Sequence, residues 1–323
     1  MLSASLLLFA GTLASGLDSS LNYTSVWKPQ VGTPWQIVLN KAAATESPVR
    51  ILPDVKVYDL DLFDNDASAF AKMKEDGIRV ICYFSAGSYE DWRSDKKEFL
   101  DSDLGAPLDG WPGEKWLKTS SSNVRRIMSS RIQLAATKGC DAIDADNIDG
   151  YVGTVKNNAG VLELMTQCQN HDTRLGLIQD DAVDFVRFLA GEALSHNMSF
   201  GLKNAIEIAP KVLDVTAFAV NEQCVEYGEC KKLSVFVDAN KAVLHIEYPK
   251  KPGDAHSIEN SCPSQDAGVD FHALSTVLKR MSLDDWVEYC PSSRKAHLFG
   301  ISGSLYRLVQ AEEQPVEVCF VVN

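Results

Sequence analysis

The stretch CDAIDADNIDGY at residues 140–151 places four aspartates within nine residues, between small apolar side chains. Side chains alternate along a strand, so Asp144 and Asp146 share one face with Ala142. Ile143 and Ala145 take the opposite face, and the following glycine ends the element. A strand that presents acids at its carboxyl end is typical of a (β/α)8 barrel, in which those ends carry the chemistry. The stretch therefore predicts an α/β fold, a (β/α)8 TIM barrel in a single catalytic domain.

Two other interpretations of this acidic stretch stay open on the residues alone. One is a Ca²⁺ loop, although the spacing lacks the distal Glu of an EF-hand and the Gly at its sixth position. The other is an acidic turn that faces solvent.

The length and charge of the chain limit the possible functions. Its 323 residues suffice for one large barrel, since barrels of about 250 residues form single domains. The formal net charge of −13 argues against nucleic acids and anionic membranes as partners. The same charge is compatible with a cationic substrate. The simpler explanation is that acidity only keeps a secreted protein in solution.

The amino terminus indicates export. Residues 1–16 resemble a secretory signal, with an apolar core at residues 6–10 that is too short to span a bilayer. Residues 17–34 are polar and predict a leader, followed by a catalytic domain at residues 35–292 and an extension at 293–323. Glycosylation sequons at Asn22 and Asn197 agree with secretion. We therefore expect a secreted, extracellular glycoprotein, and a monomer.

Eight cysteines in a secreted chain permit disulfides. The two pairs predicted from the sequence are Cys224–Cys230 and Cys262–Cys290. Cys82 lies within a predicted strand and Cys140 precedes the acidic strand, where a buried thiol is the commoner state of a cysteine.

Short apolar segments alternate with amphipathic helices along the chain, which favours a parallel sheet closed on itself. The eight predicted strands are residues 55–61, 79–85, 115–118, the acidic stretch 140–151, 199–203, 217–222, 242–247 and 271–279. Helices are predicted at residues 67–76, 123–138, 180–197 and 283–289.

In such a barrel the carboxyl ends of the strands deliver polar side chains to one mouth. These residues are Asp59, Asp61, Tyr83, Asp144, Asp146, Asn147, Lys203, Asn204, Glu222 and Glu247. Glycoside hydrolysis needs two carboxyl groups, one protonated and one ionised. Crowded acids meet this need because mutual repulsion raises the pKa of some of them. No CxxC or HExxH spacing supports a metal, and we predict no cofactor.

Six linked motifs make the chain similar to a known family. They are WQI at 35–37, YD at 58–59, CYFSAGSYEDW at 82–92, GCDAIDADN at 139–147, GLKN at 201–204 and NEQC at 221–224. Over roughly residues 35–291 the chain resembles glycoside hydrolase family 114. The resemblance implies a (β/α)8 fold and endo-acting hydrolysis of α-1,4 bonds in galactosamine polymers such as galactosaminogalactan. It places the catalytic pair on Asp146, as nucleophile, and Glu222, as acid/base, in a retaining mechanism.

A cationic galactosamine-containing polysaccharide would explain the acidity. Deacetylated galactosamine units carry ammonium groups, which an acidic cleft would attract. The residues predicted to bind substrate are Asp59, Asp61, Tyr83, Trp92, Asn147, Asp144, Lys203 and Glu247. Trp92 offers a flat face for a sugar ring, although core packing explains any single aromatic residue equally well.

Two segments depart from the family pattern. Residues 161–174 resemble an insert and carry Cys168, and the tail at 293–323 carries Cys319. An insert beside the cleft could obstruct it. Two other functions stay open, namely a barrel that binds amino-sugar polymer without turnover and a hydrolase of another α-glycan. A metal-dependent deacetylase is disfavoured, because the aspartates have no matching His-x-x-x-His partner.

Overall fold

The computed structural model of the protein describes residues 26–40, 49–151, 153–156, 162–165, 173–264 and 268–290. The predicted signal peptide, the extension at 293–323 and most of the predicted insert lie outside these residues, as do Cys168 and Cys319. The strands are β1 Trp35–Val38, β2 Val57–Asp61, β3 Arg79–Ser85, β4 Ser88–Glu90, β5 Leu104–Pro107, β6 Glu114–Leu117, β7 Ala142–Asp146, β8 Gly153–Lys156, β9 Leu162–Met165, β10 Ser199–Lys203, β11 Phe218–Glu222, β12 Ala242–Glu247, β13 Leu274–Leu278 and β14 Glu288–Tyr289. The helices are α1 Ala67–Glu75, α2 Ser122–Lys138, α3 Gln179–Ser195, α4 Ala209–Val212, α5 Ser234–Asp238 and α6 Ala255–Asn260.

One sheet organises the described chain. Its strand order is β1-β2-β3-β7-β10-β11-β12-β13-β14, in which the first eight strands run parallel and β14 runs antiparallel to β13. The sheet is curled, and side chains of the β1 segment contact the β13 segment. The indole N–H of Trp35 donates to the carbonyl oxygen of Ser275 at 2.6 Å, and the ammonium of Lys279 lies 2.9 Å from Oε1 of Gln36. This architecture confirms the α/β class.

The two faces of the parallel strands bury separate apolar clusters. Ile143 and Ala145 belong to the outer cluster, which also contains side chains of α3 such as Phe185. Ala142 belongs to the inner cluster with Trp35. Because each large apolar side chain stabilises the fold by about 1.5–3 kcal/mol when buried, a one-residue slip of β7 would be costly. The partition of faces predicted from the sequence is thus the partition that the structure has.

The helix before the acidic strand has well-formed ends. The hydroxyl of Ser121 accepts hydrogen bonds from the backbone N–H groups of Asn123 and Val124, an arrangement typically worth about 1 kcal/mol. The helix stops at Gly139, whose φ of 89° lies in the left-handed region that glycine adopts without strain. Two residues further on, Asp141 binds the backbone N–H of Val80, which aligns β7 with β3.

The prediction of residues 115–118 as a parallel strand is wrong. This segment lies in β6, the central strand of a separate antiparallel sheet ordered β4-β6-β5. The first strand of the large sheet is instead β1, so the total of eight parallel strands is preserved. Parallel strands are covered on both faces and tolerate few polar residues. Glu114 and Lys115 in β6 fit an antiparallel sheet, in which Lys115 is exposed.

The prediction of a helix at residues 283–289 is also wrong. The carbonyl of Leu283 accepts a hydrogen bond from the N–H of Leu39, and the carbonyl of Asp284 accepts one from Lys279. Both carbonyl groups therefore accept hydrogen bonds from other segments and not from a following helical turn, and the chain continues into β14.

The predicted disulfides Cys224–Cys230 and Cys262–Cys290 are confirmed. Cys82 and Cys140, for which a buried thiol was expected, form a third disulfide that joins β3 to the start of the acidic strand. Spacing along the chain did not indicate this pair, because 58 residues separate its members.

Part of the predicted leader packs on the fold. Val26 is buried, and the guanidinium of Arg79 lies over the ring of Trp27. Among the described residues, none of the helices combines the length and apolar character required to cross a bilayer.

Candidate active site

A cavity of about 1030 Å³ opens where the parallel strands end. Both predicted catalytic residues, Asp146 and Glu222, lie in its wall together with Tyr83 and Tyr248. Ten carboxylic side chains line it: Asp61, Asp64, Glu90, Asp109, Glu114, Asp146, Asp149, Glu207, Glu222 and Glu229. Arg93 is the only lysine or arginine among the lining residues. The cavity is therefore strongly acidic.

A buried lysine joins the two catalytic candidates. The ammonium nitrogen of Lys203 lies 3.4 Å from Oδ1 of Asp146 and 3.3 Å from Oε2 of Glu222, and the lysine side chain is 2% exposed. Burial lowers the pKa of Lys203, but the charges of these carboxylates outweigh burial and raise the pKa well above its ordinary value. The lysine therefore stays a cation at neutral pH, and its charge favours the ionised form of Glu222.

Asp146 is held by two further donors. The hydroxyl of Tyr83 donates to Oδ2 at 2.8 Å, and the backbone N–H of Asn147 donates to Oδ1 at 2.8 Å. Burial and the adjacent Asp146 charge raise the pKa of Tyr83 well above its ordinary value, so the phenol remains protonated and keeps donating. These contacts fix the direction in which the carboxylate faces the cavity.

Glu222 has its own set of donors. The hydroxyl of Tyr248 donates to Oε1, and the amide of Asn204 donates to Oε2 at 3.1 Å. The backbone N–H of Glu222 in turn donates to Oδ1 of Asn204 at 2.9 Å. Burial raises the pKa of Glu222, but the Lys203 ammonium and the hydrogen bonds from Tyr248 and Asn204 outweigh burial, and the pKa lies below its ordinary value.

The residue that follows each of these three side chains has an unusual backbone. Asn147, Asn204 and Gln223, which follow Asp146, Lys203 and Glu222, have φ values of 60°, 46° and 62°. Few residues other than glycine adopt positive φ, and asparagine does so most readily. Local strain of this kind concentrates at functional sites. Here it turns the chain sharply at the ends of β7, β10 and β11.

The loop after β3 approaches this turn closely. A Cβ atom at Gly87 would lie 1.6 Å from the carbonyl oxygen of Asn147, so only glycine fits there. The amide of Asn147 donates to the hydroxyls of Ser85 at 2.9 Å and Ser88 at 3.2 Å. Asn147 lies at the cavity wall, where it links the loop after β3 to Asp146, and its role in substrate binding stays a prediction.

The predicted substrate-binding residues divide into two groups. Tyr83, Trp92, Asn147 and Asp61 line the cavity, and Trp92 is 52% exposed. The carboxylate of Asp61 is already occupied, because both terminal nitrogens of Arg93 donate to it at 3.0 and 2.6 Å. Its role as a ligand for an amine stays a prediction.

Four predicted residues do not line the cavity: Lys203, which lies behind Asp146 and Glu222 as described above, Asp59, Asp144 and Glu247. Asp59 and Asp144 are fully buried, and Glu247 is 2% exposed. Glu247 accepts a hydrogen bond from the backbone N–H of Val225 at 2.7 Å and contacts the His245 ring at 2.9 Å. Strand alternation correctly gave Asp59 and Asp144 the inner face, but their depth below the mouth depends on how the strands are staggered.

Several cavity residues were not predicted. Trp111, Tyr227 and Met281 are all more than half exposed, and Glu114 approaches from β6. The hydroxyl of Tyr248 binds Glu222, a contact that the sequence alone does not indicate. No local pattern marks these residues, although Tyr227 lies in the loop that the Cys224–Cys230 disulfide closes.

Among the described residues, one cluster brings potential metal ligands together, namely Cys224, Cys230 and His245. This cluster does not form a metal site. Its two sulfur atoms are joined in a disulfide, and both ring nitrogens of His245 lie within hydrogen-bond distance of Thr276 and Glu247.

Comparisons with known proteins identify a matching family and similar solved structures. The model for glycoside-hydrolase family GH114 matches residues 16–295. The crystal structure of Aspergillus fumigatus Ega3 in complex with galactosamine is similar, with a TM-score of 0.70 and 46% identity, and the match covers 83% of this chain and 100% of that chain. The glycoside hydrolase domain of PelA from Pseudomonas aeruginosa shares the fold, with a TM-score of 0.56 and 12% identity over 79% of this chain and 98% of that chain. Comparison with curated proteins finds no match.

Proposed function

Because the chain belongs to glycoside hydrolase family GH114 and is therefore a glycosidase, we propose that it is a secreted, endo-acting enzyme that cleaves α-1,4-linked galactosamine polymers. The observation that carries the proposal is the placement of Asp146 and Glu222 on either side of Lys203 in an acidic cleft. Similarity to Ega3, which was solved with galactosamine, supports the choice of an amino sugar.

Two carboxyl groups beside one sugar-binding cleft supply the chemistry of glycoside hydrolysis. In the proposed retaining mechanism, Asp146 attacks the anomeric carbon while Glu222 protonates the leaving oxygen, and Glu222 then activates the water that releases the product. The Lys203 contacts place Oδ1 of Asp146 and Oε2 of Glu222 no farther apart than the sum of 3.4 and 3.3 Å. This limit includes the separation of about 5–5.5 Å in retaining enzymes and excludes all but the lower end of the range of about 6.5–9.5 Å in inverting enzymes, so it supports retention.

The order of the two roles is the finer part of the proposal. A general acid must carry a proton. Because its pKa is lowered, however, the Glu222 carboxyl group is ionised in the free enzyme. Glu222 therefore gains its proton in the substrate complex, where the sugar displaces water and increases burial, the effect that raises its pKa. The reverse order, with Glu222 as nucleophile, needs no such gain. The pH dependence of a Tyr248 variant separates the two orders.

The charge of the cleft favours a cationic polymer. Ten carboxylic side chains line the cavity and only Arg93 among the lining residues is basic, which produces a negative potential that attracts ammonium groups. Exposed aromatic side chains at the same cavity, Trp92, Trp111 and Tyr227, offer flat apolar faces on which sugar rings can stack. A neutral α-glycan would gain nothing from this excess of acids.

The proposal includes a closed (β/α)8 barrel and an extracellular location. Contacts of Trp35 with Ser275 and of Gln36 with Lys279 support closure between β1 and β13. Three disulfides among the described residues support export, because disulfides persist in oxidising compartments.

The deciding experiment measures reducing ends released by the secreted protein from partially deacetylated galactosaminogalactan, the fully acetylated polymer and chitosan. We expect release from the cationic galactosamine polymer alone, and none with the Glu222→Gln variant. Release from the acetylated polymer at an equal rate would contradict amine recognition. Polymer binding without release from any substrate would indicate a binding barrel instead.

A further inference from the structure

Two aspartates lie beneath the catalytic pair and have no role in the mechanism above. Asp59 of β2 and Asp144 of β7 are both 0% exposed. No donor of the described residues reaches any of their four carboxylate oxygens. The two carboxyl groups lie close enough to interact with each other, and a hydrogen bond between them requires a proton on one, because an ionised carboxylate only accepts.

The position of the pair follows from strand register. Asp144 precedes Asp146 by two residues and so shares its face. In the sheet Asp144 lies opposite Tyr83 of β3 and Gly201 of β10, two residues before Lys203. Asp59 lies opposite Ile37 of β1 and Ile81 of β3, which belong to the inner apolar cluster. The pair therefore occupies the layer between this apolar cluster and the ammonium of Lys203.

Charge limits the protonation state of the pair. The charged or titratable groups that face it are Lys203 of β10, Asp146 of β7, Glu222 of β11 and Tyr83 of β3. If Asp59 and Asp144 were both ionised, they and the two catalytic carboxylates would place four negative charges around the single ammonium of Lys203. Burial and the neighbouring Asp144 raise the pKa of Asp59 well above its ordinary value. Burial also raises the pKa of Asp144, but Lys203 and the hydrogen bond from Asp59 oppose that rise, so Asp59 carries the proton and Asp144 the charge. A buried carboxylate without a donor is also costly in free energy.

We propose that Asp59 and Asp144 are a positioning pair that shares one proton, and that its single negative charge holds the Lys203 ammonium between Asp146 and Glu222. Only the identity of the catalytic pair is taken from the proposed function. Asp59 and Asp144 thereby act on the catalytic residues through Lys203, and neither aspartate touches the substrate.

Stability tests the shared proton without any substrate. Unfolded aspartate has a pKa of about 3.9, so between about pH 4 and 7 the native pair binds a proton that the unfolded chain has lost. The contribution of the pair to the free energy of unfolding therefore decreases as pH rises through this window. In Asp59→Asn this contribution is lost, so the slope of stability against pH should be less negative than in the wild type, whereas Asp180→Asn, a surface carboxylate near Lys211, should keep the wild-type slope. Equal slopes in the wild type and Asp59→Asn would overturn the proposal.

The pH profile of hydrolysis tests the link to Lys203. In Asp59→Asn the amide replaces the protonated member and Asp144 keeps the single charge, so the acidic limb of kcat/KM should stay in place. The double variant Asp59→Asn/Asp144→Asn loses that charge, which lowers the pKa values of the remaining carboxylates. Its acidic limb should move down by about one pH unit. If the acidic limb in Asp59→Asn moves by at least half the shift seen in the double variant, both aspartates are ionised in the wild type and the shared proton is refuted. If the acidic limb of the double variant does not move, the pair does not act on the catalytic carboxylates through Lys203.

Infrared spectroscopy keeps the proposal testable if the double variant does not fold. The wild-type protein at pH 6 should show the carbonyl band of a buried protonated carboxyl, and this band should be absent in Asp59→Asn and present in Asp180→Asn. Its absence in the wild type would overturn the shared proton. None of these stability or spectroscopic results depends on which polymer the enzyme cleaves.

Discussion

The hydroxyl of Tyr248 donates a hydrogen bond to Oε1 of Glu222, on the carboxylate whose other oxygen contacts the Lys203 ammonium. This bond stabilises the ionised form of Glu222 and contributes to its lowered pKa. The protonation state of Glu222 is therefore set by residues that arrive from β10 and β12.

The Tyr248→Phe variant should raise the pKa of Glu222, because the ionised form loses a donor. If Glu222 is the general acid, the alkaline limb of kcat reports its pKa in the substrate complex and should move to higher pH by about one unit. The pH–rate profile measures this, with Tyr58→Phe as a control that loses a phenolic hydroxyl outside the cavity. Movement of the acidic limb alone would instead assign the nucleophile to Glu222.

Asp146→Asn and Glu222→Gln should each lower kcat by about 10³-fold or more, because each removes a group that acts on the reacting bond. Both substitutions are nearly isosteric, so the melting temperature should stay close to that of the wild type. Matched controls are Asp180→Asn and Glu98→Gln, which alter surface carboxylates paired with Lys211 and Arg126. Wild-type turnover in either folded catalytic variant would refute the assignment.

Trp92→Ala should raise KM for the polymer by about 5–10-fold with little change in kcat, since aromatic contacts contribute about 0.5–1.5 kcal/mol. Stability should hardly change, because the indole is 52% exposed. Leu100→Ala is the control, as Leu100 is 55% exposed and does not line the cavity. A KM equal to that of the wild type would remove Trp92 from the binding site.

Gly87→Ala should destabilise the protein by about 2 kcal/mol or more and lower activity, because the added Cβ would strike the carbonyl oxygen of Asn147 beside Asp146. Gly191→Ala, in α3, meets nothing within 4 Å and should instead stabilise by about 0.5–1 kcal/mol. Urea unfolding and kcat measured on both variants provide the comparison. Similar stability of the two would contradict the close approach of the loops.

Local patterns predicted the elements that depend on neighbouring residues. The alternation in β7 gave Asp144 and Asp146 the inner face and Ile143 the outer face, as the two clusters show. The same reasoning wrongly placed residues 115–118 in the large parallel sheet, because a short strand of an antiparallel sheet and a short strand of a barrel differ little in sequence. The helix expected at 283–289 failed because Leu39 and Lys279 bind its carbonyls from distant segments.

By itself the sequence determined the class of the fold, the strand that carries Asp146 and the candidates for the catalytic pair. These features follow from residue periodicity and from motifs in a fixed order. Only the tertiary structure decided that Lys203 lies between Asp146 and Glu222, that Cys82 pairs with Cys140, and that Asp59 and Asp144 are buried together. Those relationships join different strands, and the stagger and curl of the sheet set the distances between them. The chemistry of each side chain is local, whereas its charge state depends on neighbours that are distant in the chain.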